Sequence, residues 1–289
     1  MTPRTAYLNG QFLPLDEAKI SPLDRGFLFG DGVYEVIPVY NNCLFHCEAH
    51  ITRLNSSLAG IRMIPPLSYP EWETILETVV EKNGKEDQWL YIQVTRGIDS
   101  IRDHQFPKHV VPTIFVVSYP KTRLTKEEQS QGICVTAITD IRWKYCHIKT
   151  TARLAYVLMY QEAKDAGFDE GIIINNGYAQ EGTTSNFFMI RHGVIMTPPK
   201  TPLLLSGITR DCILSLAEKN KIPYRETKIS ERDLQKADEL WITSSTRGVY
   251  PVINLNGHAV GNGKAGPLWE RMWTLYDAEV THFSLSVSH

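Results

Sequence analysis

A polar stretch from Tyr119 to Gln131, rich in Lys, Glu and Gln, divides the 289 residues into two parts that each mix strand and helix patterns. Before it, Tyr7–Phe12 reads as two short strands around an Asn9-Gly10 turn, and Val33 to Tyr40 as a strand closed by Asn41-Asn42. Ile51, Leu54, Leu58 and Ile61 recur at helical spacing between His50 and Arg62. Glu71 to Asn83 reads as a second helix closed by Gly84, and Trp89 to Thr95 and Thr113 to Ser118 as strands. After it, Ile133–Ile138, Gly171–Asn175, Asn186–Ile190 and Leu240–Thr243 read as strands, and Leu154–Ala166 and Thr209–Asn220 as helices. The expected fold class is α+β (mixed α/β). A small N-terminal α/β domain would cover 1-120, an interdomain linker 121-131, and a larger C-terminal domain 132-289. No glycine-rich dinucleotide fingerprint follows a strand, which argues against a plain doubly wound sheet.

Composition narrows the function. A hydrophobic fraction of 43% with 21% charged residues is that of a chain that buries a core, not of a disordered one. A net charge of −2 argues against electrostatically driven binding to nucleic acid. No run of about 18 apolar residues offers a membrane span. The opening residues, Met1 to Tyr7, lack the apolar core of a signal peptide. The odd set of five cysteines has no framework spacing and suggests reduced thiols in a cytoplasm. Cys43 and Cys47, with His46 and His50, lack the second half of a structural zinc site, so no metal is expected.

Six segments carry candidate chemistry. Asp24–Val36 holds three glycines in seven positions before a strand that presents Tyr34 and Val36 on one face and Glu35 on the other. A turn before a core strand accounts for the same pattern. In Arg102-Asp103-His104-Gln105-Phe106-Pro107, extended chain would point Arg102 and His104 the same way, as a carboxylate clamp or as a solvated loop. Lys149 lies between a strand-like run and a helix, where a lysine can enter a pocket and form a Schiff base, although most lysines are merely solvated. Gln180–Asn186 is a hydroxyl-rich turn with one carboxylate. Ser206–Asp211 opens a helix, as an anion site or as an ordinary N-cap. Thr243–Gly248 is a further hydroxyl cluster at a strand end.

Taken together and in this order, the motifs resemble the fold-type IV (class IV) pyridoxal-phosphate aminotransferases over nearly the whole chain, from Tyr7 to about Tyr276. The resemblance implies a two-domain enzyme whose larger domain is barrel-like, with pyridoxal 5'-phosphate held between the domains. It implies Lys149 as the Schiff-base lysine that moves the proton, and Glu181 as the carboxylate facing the pyridine nitrogen. It also implies Arg53 as the phosphate arginine and Leu205 as the apolar residue under the ring. Gly207, Ile208 and Thr209, with Ser244 and Ser245, would form the phosphate cup.

Tyr34-Glu35-Val36 and the Arg102–Pro107 loop look like the D-amino-acid aminotransferases, D-alanine aminotransferase above all. There Tyr34, Arg102 and His104 would receive the substrate α-carboxylate. The implied reaction is D-alanine plus 2-oxoglutarate to pyruvate plus D-glutamate, in a cytoplasmic homodimer in which loops of one subunit line the site of the other. Arg153 with Leu154, then Val157-Leu158, is similar instead to 4-amino-4-deoxychorismate lyases, which would release 4-aminobenzoate and pyruvate. Arg153 could equally be a helix-surface residue. Arg247 stands where small residues are usual and could add a second carboxylate contact or close the pocket. Branched-chain aminotransferases are the third member of the comparison, and they lack the Arg-x-His-x-Phe-Pro loop.

Overall fold

A computed structural model describes residues 4–286, so the outermost residues of the two expected domains, 1–3 and 287–289, lie outside the description. The fold is mixed α/β. Contacts divide the chain into two compact units. The first comprises 1–123 together with 148–153 and the chain from 282 onward, and the second comprises 124–147 and 154–281. The first unit is thus discontinuous in sequence, which a single cut at 121-131 does not provide for.

The first unit holds β1 (Thr5–Leu8), β2 (Gln11–Pro14), α1 (Arg25–Phe29), β3 (Gly32–Tyr40), β4 (Cys43–Leu44), α2 (Cys47–Gly60), α3 (Tyr69–Asn83), β5 (Gln88–Thr95) and β6 (Thr113–Pro120). Its six strands form an antiparallel sheet in the order β2-β1-β6-β5-β3-β4. The Asn9-Gly10 and Asn41-Asn42 pairs both turn with positive φ, as two-residue hairpin loops require. Helices α2 and α3 pack one apolar face each on the sheet, around Leu54, Leu58, Trp72, Leu76, Leu90 and Ile92. The capping box of Ser68 and Glu71 starts α3 at Tyr69, two residues before the start at Glu71 expected from the sequence. Ile148 joins this core and lies against Gly60, whose missing side chain leaves it room.

The second unit holds α4 (Lys126–Ser130), β7 (Ile133–Thr139), α5 (Leu154–Asp165), β8 (Glu170–Asn175), β9 (Tyr178–Gly182), β10 (Asn186–Arg191), β11 (Val194–Thr197), α6 (Ile208–Lys219), β12 (Tyr224–Glu226), β13 (Ile229–Ser230), α7 (Glu231–Leu234), β14 (Glu239–Ser244), β15 (Gly248–Leu255), β16 (His258–Ala259) and the greater part of α8 (Pro267–Ser286). Its strands form one sheet in the order β12-β11-β10-β14-β15-β7-β8-β9-β13. The pairs β15–β7, β7–β8 and β11–β12 are parallel and the rest antiparallel. Part of the polar stretch read as linker is the short helix α4, closed at its start by Thr125 and Glu128 in a second capping box. No helix among the described residues is long and apolar enough to cross a membrane.

Candidate active site

In the first unit the site is built on the backbone of residues 148–153. Thr150 bridges to Val33 of β3, the Lys149 N–H donates to Ser57 Oγ of α2 at 3.1 Å, and the Lys149 carbonyl accepts from the Tyr34 N–H at 2.9 Å. These bonds aim the half-buried Lys149 side chain at the ring of Tyr34, with Nζ 4.3 Å from the ring centre. The Arg153 guanidinium lies over the same ring at 5.9 Å. Burial pushes the Tyr34 hydroxyl up, but the cations of Lys149 and Arg153 outweigh it and lower its pKa below the ordinary phenol value. Arg153 precedes α5, so it is not a residue of the helix surface.

The alternation of β3 turns Glu35 to the opposite face from Tyr34, toward α2. There His50 and Arg53, three residues apart on one helix face, close on it. Arg53 donates through Nε and Nη2 to the two Glu35 oxygens at 2.6 and 2.8 Å, and His50 Nδ1 stands 2.9 Å from Oε2. Glu35 is fully buried. The expected phosphate arginine is therefore fixed from behind by a bidentate carboxylate. His50 belongs to this cluster, and among the described residues no group of three or more His, Cys, Asp or Glu could hold a metal.

The glycine-rich segment is not a bare turn. Asp24 caps the short helix α1 and also accepts from Thr95 and Thr113. Asp31 pairs with both Arg25 and Arg96. Arg25 in turn donates to the carbonyls of Asp103 and Gln105 at 2.6 and 3.2 Å, and Arg96 stacks on Phe106 at 3.7 Å. The first motif thus anchors the Arg102–Pro107 loop. That loop is bent rather than extended, and Arg102 and His104 meet on the ring of Phe29, at 4.8 and 5.2 Å. Both are exposed. Among the described residues no hydrogen bond, ion pair or ring contact joins either of them to Tyr34, which meets Lys149, Arg153 and Tyr91 instead.

In the second unit Glu181 sits near the end of β9 and is 3% exposed. Its Oε1 accepts from Arg142 and, at 3.4 Å, from the Tyr156 hydroxyl. Its Oε2 accepts from the Leu205 N–H at 2.9 Å. Arg142 is a fixed cation. Burial opposes its charge, but Asp140, at 2.8 Å from Nε, and Glu181 raise its pKa above the ordinary value. Leu205 is held on its other side, since its carbonyl accepts from Asn186 Nδ2 at 2.8 Å. Gly207 follows as the residue that caps α6. A Cβ there would stand 1.9 Å from Asn186 Oδ1, so the strap passes Asn186 only without a side chain. Ile208 and Thr209 then open the helix with first-turn amides that the helix itself does not use. Asn186 pairs with Thr243 across β10 and β14, which brings Ser244 and Ser245 to the same sheet end.

The residues matching the family profile of the class IV amino-transferases run from 32 to 255. The chain belongs to the class IV aminotransferase family. D-alanine aminotransferase of Bacillus licheniformis is 39% identical over 266 residues, covering 92% of this chain and 93% of that one. Among solved structures, the branched-chain amino acid aminotransferase from Escherichia coli superposes with a TM-score of 0.87 at 27% identity, over 94% of this chain and 92% of that one. The branched-chain aminotransferase from Thermoproteus uzoniensis with norvaline gives 0.86 at 26%, over 96% and 95%.

Fold-type IV aminotransferases depend on pyridoxal 5'-phosphate, and the donor sets here fit that group. A buried carboxylate locked in place by an arginine and an amide suits a protonated pyridine nitrogen. A helix start crowded against Asn186, beside two serines, suits a phosphate. The sequence reading missed Arg142, Asp140, Tyr156, Asn186, Ser57 and Glu170 as supports of these groups. Only the alternate spacing of Asp140 and Arg142 carried any signal. Arg247, which could add a second carboxylate contact or close the pocket, pairs with the buried Glu170 at 2.7 Å, and Glu170 also accepts from Thr184 and Ser185.

Proposed function

We propose that this class IV aminotransferase interconverts D-amino acids and 2-oxo acids, taking D-alanine and 2-oxoglutarate to pyruvate and D-glutamate. The observation that carries this reading is the 39% identity to a D-alanine aminotransferase over 92% of the chain, joined to an intact Lys149 and Glu181. When bound, pyridoxal phosphate supplies an aldehyde that takes up the amino group and a ring that accepts the electron pair of Cα. Lys149 Nζ would act as base and then as acid of the 1,3-proton shift, taking the proton from the substrate Cα and giving it up within the same half-reaction, and running the shift in reverse in the other half-reaction. Glu181, held in place by its ion pair with Arg142, would keep a proton on the ring nitrogen. Arg53, the start of α6 at Gly207, Ile208 and Thr209, and Ser244 and Ser245 hold the phosphate, and Leu205 supports the ring.

Tyr34, Arg102 and His104 orient the α-carboxylate and so select the D enantiomer. Because Arg102 and His104 are exposed on their loop, we infer that they serve the site of a second copy in a homodimer. The apolar side chains exposed around them, Phe27, Ile98, Ile101 and Val111, support such an interface. Five unpaired cysteines accord with a cytoplasmic protein.

The test is to add D-alanine, then L-leucine, to the purified holoenzyme without an acceptor. Loss of the visible cofactor band with D-alanine, with release of pyruvate, is the expected result. The same loss only with L-leucine overturns it in favour of a branched-chain enzyme. No loss with either, but release of 4-aminobenzoate from aminodeoxychorismate, overturns it in favour of the lyase. Light scattering of the same sample should give twice the mass of the chain, and a monomer would remove the shared-site reading of Arg102 and His104.

A further inference from the structure

Arg153 is the strongest group near Lys149 to which the roles above give no work. Its position is not incidental. The Thr151 N–H donates to the Gly32 carbonyl at 3.0 Å and the Arg153 N–H to the Thr151 carbonyl at 2.8 Å, so the segment from Lys149 to Arg153 is pinned along β3. Lys149 and Arg153 therefore address one aromatic ring, at 4.3 and 5.9 Å from its centre. The charge of Arg153 is felt there, since it helps draw down the pKa of Tyr34 against the effect of burial, which is the largest influence.

A planar guanidinium meets a carboxylate with two parallel hydrogen bonds, in a geometry that an ammonium does not match. D-alanine carries one carboxylate and a methyl group, and a pocket for a methyl group has no use for a cation. The acceptor in the reading above carries a second carboxylate, which must be met by a donor once it leaves water. One site serves both substrates in turn.

We propose that Arg153 is a specificity-determining residue that receives the second carboxylate of a dicarboxylic substrate, D-glutamate or 2-oxoglutarate. The proposal rests on the D-aminotransferase reading.

The experiment compares the wild-type holoenzyme with Arg153→Met, which keeps the stem and removes the charge, and with Arg153→Lys, which keeps the charge and removes the fork. The ratio of kcat/KM for D-glutamate to that for D-alanine should fall about 10- to 100-fold in Arg153→Met, with partial recovery in Arg153→Lys. Independently of turnover, calorimetric binding of glutarate relative to butyrate should weaken at least about tenfold in Arg153→Met. Unchanged ratios in both measurements overturn the proposal. A wild-type enzyme that turns over neither D-amino acid overturns the reading beneath it, and the glutarate-to-butyrate comparison then still decides Arg153. Should Arg153→Met fail to fold, Arg153→Lys carries the same comparisons.

Discussion

Replacing Lys149 with alanine should lower turnover by at least about 10⁴-fold, because the group we propose to move the proton at Cα is then gone and water must replace it. The fold should survive the change. The bonds that set the local backbone run through the Lys149 N–H and carbonyl, to Ser57 and Tyr34, and an alanine keeps both. The side chain itself is only half-buried and leaves no core cavity when truncated. The measurements are kcat with D-alanine and 2-oxoglutarate, the visible absorbance of the cofactor, and the Tm. A variant that keeps its absorbance band and its turnover would show that another residue does this work. A variant with an unchanged Tm and no turnover is the expected outcome.

Glu35→Ala should be the most destabilising substitution at the site. It leaves the Arg53 guanidinium, with its side chain 11% exposed, and the buried His50 without the carboxylate that both face. Removing one partner of a buried ion pair costs about 3–5 kcal/mol. For a chain of this size that corresponds to a fall in Tm of roughly 5–15 °C. Cofactor affinity should fall with it, since Arg53 loses the bidentate contact that orients it.

The pH dependence carries a second signature of the same cluster. Burial pushes the Glu35 carboxyl up, but Arg53 and His50 outweigh it and hold it well below the ordinary carboxylate range. A depressed carboxyl contributes stability that is present in full above its unfolded value of about 4.3 and is lost as pH falls toward its folded value. Burial lowers the His50 pKa below the ordinary imidazole value, so acidification through the imidazole range costs stability, and Glu35, which opposes that shift, limits the cost in the wild type. The Tm advantage of wild type over Glu35→Ala should therefore hold or rise as pH falls from about 7 to about 5, and shrink below about pH 4. An advantage that keeps growing below about pH 4 would mean that Glu35 is protonated in the native state.

The order of elements was legible from residue patterns alone. Period-2 and period-3.6 runs of apolar residues marked β3, β5, β6, α2, α3 and α6 to within a few residues, because each buries one face against a core. Turn chemistry at Asn9-Gly10 and Asn41-Asn42 is local, so it too could be read directly. Family membership followed from motif order, since Lys149, Glu181 and the Gly207–Thr209 helix start each carry recognisable local chemistry.

What remained hidden were the partners. Nothing near Glu35 in sequence announces that His50 and Arg53 will close on it. The separation of Arg142 from Glu181, or of Arg247 from Glu170, spans tens of residues with no pattern between them. The bent loop that brings Arg102 and His104 onto Phe29, rather than onto Tyr34, is held by Arg25 and Arg96 from two other segments. Backbone preference and amphipathic burial act over a few residues, so the elements, their caps and their turns can be read along the chain. Which charges neutralise one another, and where each side chain at the site points, is settled by contacts between distant segments. Those choices depend on desolvation and hydrogen-bond geometry between segments that meet only when the sheets are assembled.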